Sequence, residues 1–150
     1  MKTVKRDIVG GFIFSHDEKV LLGKNKKGGV YKDMWVVPGG GVEAGETTRQ
    51  ALRREMLEEV GIDVEEGTIR QLEGVPEGQS EKYMKELGEV ALVVMRFIDY
   101  EIRLDQLSND VVVSLDDDLE LAQWFGPEQL QNMTISHPTR TRLVELGMIV

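Results

Sequence analysis

Apolar positions fall into short runs at the start of the chain, "DIVGGFIFS" at 7–15 and "KVLLGK" at 19–24, parted by the polar "HDE" at 16–18. Runs of that length broken by a polar turn predict two strands joined as a hairpin. The Gly- and Lys-rich "KNKKGGVYKD" at 24–33 reads as a loop, and "MWVVP" at 34–38 as a buried strand ending at Pro38 and three glycines. The period then changes. Across "ETTRQALRREMLEEV" at 46–60, Leu52, Met56 and Val60 recur at helical spacing, with Thr47 or Thr48 available as the cap and Gly61 placed to end the helix. A strand pair is expected around "IRQLEGV" at 69–75 and "EVALVVMRFIDYEI" at 89–102, and a short strand at "LAQWF", 121–125. Pro127 is suited to start a helix in "PEQLQNM", and "HPTRTRLVELG" predicts a closing helix with Pro138 in its first turn. This order of strands, helix, strands and helices predicts an α/β or α+β sandwich rather than a doubly wound parallel sheet.

The polar side of the 46–60 helix raises a chemical question. At about 100° per residue, Glu55, Glu58 and Glu59 fall within one arc beside the apolar stripe, and Ala51 leaves room among them. Like charges three and four residues apart repel, by a few tenths of a kcal/mol on a bare helix and more as solvent is excluded. A divalent cation reverses that sign, because Mg²⁺ and Mn²⁺ prefer carboxylate and carbonyl oxygen and commonly bridge to phosphates. Charge clustering alone is more often the mark of a solvated acidic face.

Composition narrows the possibilities. With 150 residues and 41% apolar content, the chain suits one compact domain over 1–150. The absence of cysteine excludes disulfides and thiolate metal sites. "VALVVMRFI" at 90–98 falls far short of the roughly 20 residues a membrane helix needs, so no membrane partner is expected. "MKTVKRDIVGGFIF" lacks a signal-peptide cleavage site and reads as a strand, so a cytoplasmic location is expected. A net charge of −9 argues against long nucleic acid as a partner. It leaves room for a small phosphorylated substrate if cations stand between the two.

The acids sit in an ordered pattern. Gly40 is followed after five residues by Glu46 and after seven more by Arg54 and Glu55. Apolar Met56 comes next, then Glu58, Glu59, Gly61 and apolar Ile62. That string resembles the signature of the Nudix hydrolases, which cleave nucleoside diphosphates linked to another moiety. Every fixed position is filled, and Met56 stands where the family more often has Leu, Ile or Val. The signature covers 23 of the 150 residues, and "WVVPGGG" and the flanking strand order extend the likeness over most of the chain.

The resemblance implies a Nudix-type α/β/α sandwich with a mixed sheet and a loop–helix–loop that binds divalent metal and the diphosphate. It makes Glu58 and Glu59 metal ligands, with Glu55 a further ligand or the group orienting the attacking water, and the Gly39 carbonyl an additional ligand. Mg²⁺ is the implied cofactor, with Mn²⁺ as a substitute. Arg54 should fix a carboxylate through its planar fork. Gly40, Gly41 and Glu46 fall in the phosphate-facing loop, Glu46 in either a supporting or a metal role. The implied reaction is metal-activated attack of water at phosphorus. Its general base comes from Glu55 or from the later acidic stretch "SLDDDLELAQW", where Asp118 and Glu120 are the candidates.

Other polar residues admit two readings each. Lys24, Lys26, Lys27 and Lys32 form a basic island that could steer a polyphosphate or simply be solvated. Tyr31 could stack on a base, whereas Trp35 is expected in the core. His137 suits a capping or surface role, and Arg140 and Arg142 could reach a phosphate or a neighbouring subunit. "GVYKDMW", "WFGPEQL" and "TRTRLVELG" resemble the bacterial nucleoside triphosphatase branch, which implies a small nucleotide substrate. GDP-mannose mannosyl hydrolases are a second relative, but they lose a terminal glutamate where both Glu58 and Glu59 are present here. A non-catalytic nucleotide-binding Nudix domain is the third reading. The family also implies a homodimer.

Overall fold

The structure is a computed structural model that describes residues 1–25, 31–115 and 119–150. Its strands are β1 (Thr3–Phe14), β2 (Val20–Asn25), β3 (Gly39–Gly41), β4 (Thr68–Gln71), β5 (Glu77–Met84), β6 (Glu89–Arg103) and β7 (Leu119–Phe125). The helices are α1 (Thr48–Val60), α2 (Pro127–Leu130) and α3 (His137–Glu145). The strands form one mixed sheet in the order β4-β6-β1-β2-β7, with β3 paired to β1 and β5 to β6. β1 and β6 run parallel from Thr3↔Leu92 to Phe14↔Arg103, and every other pairing is antiparallel.

Alternation along β1 creates the layers. Val9 and Ile13 join Leu52, Met56 and Val60 of α1 in one core. Phe12 and Phe14 point the other way and pack with Leu130 and Leu143 of α2 and α3. Helices therefore cover both faces of the sheet, as the sequence pattern predicts. No helix among the described residues is long and apolar enough to cross a membrane.

Three expectations need correction. "MWVVP" is not a continuous strand. Val36 forms a single bridge with Gly23 and Trp35 one with Ile135, and the ladder resumes only at Gly39. Pro38 lacks an N–H for a ladder, and its carbonyl instead accepts from the Gly11 N–H at 2.9 Å. The pattern also misses β5, whose "EGQSEKYM" is polar and mostly exposed; its strand geometry comes from pairing with the apolar half of β6. The helix expected over 127–133 shortens to one turn.

Candidate active site

Two sequence devices fix the position of α1. Its N-terminus is closed by a capping box, in which the Thr47 hydroxyl accepts from the Gln50 N–H at 3.1 Å and the Gln50 amide oxygen accepts from the Thr47 N–H at 2.9 Å. Gly61, at φ 70°, ends the helix in the left-handed conformation and donates its N–H to the Leu57 carbonyl at 3.1 Å. Met56 then seats against Gly11 of β1, where a Cβ would come within 2.7 Å of its sulfur. Glu55, one residue before Met56, and Glu59, three residues after it, are thereby carried to the edge of the sheet where β3 lies.

The acids there are held differently. Glu59 is buried at 8% exposure, and its Oε2 accepts from the Gly39 N–H at 3.2 Å. The Glu55 carboxylate lies directly over Gly40, in space that any side chain at that position would fill. Burial pushes the Glu55 carboxyl above its ordinary value; Arg54 opposes the shift and the Glu58 charge adds to it. Glu58 is more than half exposed and reaches Arg54 Nη1 at 3.3 Å.

Arg54 is the hub. Its Nε and Nη2 grip Glu46 as a fork at 2.7 and 3.0 Å, Nη2 also donates to the Gly41 carbonyl at 2.9 Å, and Nη1 donates to Glu55 at 2.9 Å. These contacts raise the Arg54 pKa further, the Glu46 hydrogen bond first among them. The same fork, helped by the Glu43 N–H, holds Glu46 down at about 2. Glu46 therefore acts here as a brace for the glycine loop and for Arg54, a geometry that fits its supporting role.

The carboxylates of Glu55 and Glu59, gathered beside the Gly39–Gly40 backbone, are chemically suited to a hard divalent ion. No set of three or more acidic or histidine side chains among the described residues closes into a finished cage, since Glu58 is turned onto Arg54. Of the later acids, Asp118 lies outside the described residues. Glu120 is the extra residue of a bulge in β7, between Leu121 opposite Lys24 and Leu119 opposite Asn25, and is exposed.

Two lysines of the basic island, Lys24 and Lys32, fall among the described residues. Lys24 stands 5.0 Å above the Trp35 ring, Lys32 is exposed in the turn after it, and Lys26 and Lys27 lie outside the described residues. Trp35 packs edge-on against Phe125, as a core residue should. His137 is exposed at the start of α3. Arg140 donates to the Met133 carbonyl at 2.8 Å. Arg142 is buried, so it presents no surface to a partner; it pairs with Asp99 at 2.9 Å.

A cleft of about 270 Å³ opens beside Gly39 and Glu59, on the sheet face opposite α1. Phe12, Tyr31, Met95 and Phe97 supply apolar and aromatic walls, and Asp99 and Thr139 add polar groups. The sequence pattern did not assign Asp99 a function. The available signal was a lone acid inside the apolar run of β6, at a position whose neighbours Ile98 and Tyr100 are buried.

The match to the NUDIX domain family spans residues 4–145. The chain belongs to the Nudix family. It is 26% identical over 145 residues to the nucleoside triphosphatase NudI of Enterobacter sp. (strain 638), covering 97% of this chain and 99% of that one. Its fold is similar to that of the E. coli dihydroneopterin triphosphate pyrophosphohydrolase, with TM-score 0.68, 21% identity and coverage of 95% and 96%. The Nudix domain of Shewanella oneidensis NrtR, solved with ADP ribose, superposes with TM-score 0.67 at 14% identity, covering 97% of this chain and 87% of that one. Family membership together with the complete signature makes this Nudix chain a pyrophosphohydrolase. Nudix hydrolases generally use divalent metal ions.

Proposed function

We propose that the chain hydrolyses a pyrophosphate bond of a nucleoside triphosphate or a related nucleoside diphosphate derivative, with Mg²⁺ as cofactor and Mn²⁺ as substitute. One observation carries this reading. The buried Glu59 belongs both to the acidic ledge of α1 and to the wall of an apolar cleft able to take a base. Phosphates and base would thus lie on either side of Gly39. A divalent ion held by Glu58, Glu59 and the Gly39 carbonyl, with Glu55 left free for the attacking water, would supply positive charge against the phosphate oxygens and Lewis acidity toward water.

The residues of the chain do the rest. Glu55, desolvated and with raised proton affinity, is the group suited to take the proton from the attacking water. The oxygen of that water joins phosphorus as the anhydride P–O bond breaks. Arg54 keeps Glu55 oriented, and Glu46 keeps Arg54 in place. Close packing at Gly39 and Gly40 lets the backbone approach the phosphates. The branch likeness to nucleoside triphosphatases supports a nucleotide over a nucleotide sugar, as does the presence of both Glu58 and Glu59.

The test is a panel of nucleoside triphosphates and nucleoside diphosphate derivatives with Mg²⁺ or Mn²⁺ in ¹⁸O-water. Label on a phosphate product is expected, and label on a sugar would select the carbon-attacking alternative. Glu58→Gln should cut turnover at least about 100-fold while leaving the melting temperature unchanged, since Glu58 is exposed. Full activity in that variant refutes the assignment.

A further inference from the structure

The cleft beside Glu59 holds one other charged side chain among the described residues that line it, Asp99. Its setting differs from that of a surface acid. Asp99 is 7% exposed, and its Oδ2 accepts from Arg142 Nε at 2.9 Å. Arg142 is held in turn by the Glu73 carbonyl at 2.6 Å, the Gly74 carbonyl at 2.9 Å and Glu145 at 3.0 Å. A guanidinium with four acceptors cannot rotate away, so the Asp99 carboxylate is fixed in one orientation.

Its second oxygen, Oδ1, lies over Gly10 on the cleft floor, where a Cβ would approach to 2.6 Å. The glycine keeps that space clear for the carboxylate. Arg142 meets Asp99 at Oδ2, and no buried polar side-chain atom among the described residues lacks a partner. Oδ1 therefore opens toward the cleft. Walls of Phe12, Met95 and Phe97 surround it, so a flat apolar ring could stack there with its polar edge at Oδ1.

We propose that Asp99 determines base specificity, accepting hydrogen bonds from a base edge that presents N–H donors and disfavouring one that presents carbonyl oxygen. Guanine, with a ring N–H beside an amino group, matches a fixed carboxylate best; thymine, whose single ring N–H lies between two carbonyls, matches it worst. Arg142 is a positioning residue in this arrangement. Burial pushes the Asp99 carboxyl up from its ordinary value and the Arg142 contact opposes the shift; the 2.9 Å ion pair with Arg142 is the contact that favours the ionised acceptor. This inference rests on the reading of the cleft as the base pocket.

The variant that tests it is Asp99→Asn. An asparagine oxygen can still accept from Arg142 Nε, which turns the amide N–H₂ into the cleft and converts the acceptor to a donor. For the wild type, kcat/KM with dGTP should exceed that with dTTP by at least about tenfold, expressed mostly in KM. In Asp99→Asn that ratio should fall at least about tenfold or invert. The ratio compares two substrates within one protein, so partial unfolding of the variant cancels from it. dITP, which lacks the amino group, should fall between the two.

Titrating dGMP and dTMP in EDTA reads the same preference without turnover. A wild type that cleaves no nucleotide but prefers dGMP in an Asp99-dependent way refutes the hydrolytic proposal and upholds this one. A wild-type preference for the thymine compounds, or a guanine-to-thymine ratio unchanged by Asp99→Asn, overturns the inference.

Discussion

Gly40 and Gly41 are neighbours with opposite surroundings, which gives a controlled perturbation of the site. A methyl group at Gly40 would overlap all three atoms of the Glu55 carboxylate, whereas one at Gly41 meets nothing within 4 Å. Neither residue has a positive φ, so backbone strain does not separate the two alanine variants. In Gly40→Ala the obstructing group is the far end of a flexible side chain, and Glu55 can swing out. That movement breaks its 2.9 Å hydrogen bond from Arg54, a charged contact of a kind that contributes about 1.5–3 kcal/mol. It also returns to water a carboxylate that burial had penalised, which offsets part of the loss.

The net stability cost should be about 1 kcal/mol, or about 2–4 °C in melting temperature for a chain of this size. The effect on turnover should be far larger. Removing a positioned acid–base group costs about 10²–10⁴-fold, here expected in kcat with KM little changed. Gly41→Ala should behave as wild type in both respects. Thermal unfolding and steady-state kinetics on the best nucleotide of the panel measure the pair. A Gly40→Ala enzyme whose kcat stays within about threefold of Gly41→Ala would show that Glu55 is not the group the chemistry needs.

Two further outcomes follow from the same contacts. Glu46 is held at about 2, below its ordinary 4.5, so the stability it adds is fully present above pH 4.5 and is lost as the pH falls toward 2. Melting temperature plotted against pH should therefore flatten through that window in Glu46→Gln; a slope equal to that of the wild type contradicts the Arg54 fork. Met56→Ala empties a fully buried site against Gly11 and should cost about 2–5 kcal/mol, or about 4–20 °C. A loss of under about 2 °C, read by calorimetry, would mean that Met56 does not seat the helix.

How much of this could be read from the residues depends on the range of the interactions. α1 was legible because its signals are local: Leu52, Met56 and Val60 at helical spacing, Thr47 as cap and Gly61 as stop. The Arg54 hub was legible only in outline. A signature places Glu46, Arg54 and Glu55 in order, but it does not show that one guanidinium holds both acids and the Gly41 carbonyl. β5 was hidden because its residues, Tyr83 apart, have little strand propensity of their own and take their geometry from β6. The cleft was hidden for a related reason. Its walls come from β1, β6 and the start of α3, brought together by the parallel β1–β6 ladder and by an Arg142–Asp99 pair 43 residues apart in sequence.

The arrangement also explains how one loop and its helix can carry so many like charges without their acting alike. Glu59 is buried and tied to a backbone N–H, Glu55 is desolvated with raised proton affinity, Glu58 is solvated, and Glu46 is pinned low by a guanidinium. Environments that push the proton affinities of neighbouring acids apart are what assign them different chemical work. Glu46 is too weak a base at neutral pH to take a proton. Glu55 combines a raised affinity with a place above the glycine loop, which is why the proton is assigned to it and why Gly40 is the position to disturb.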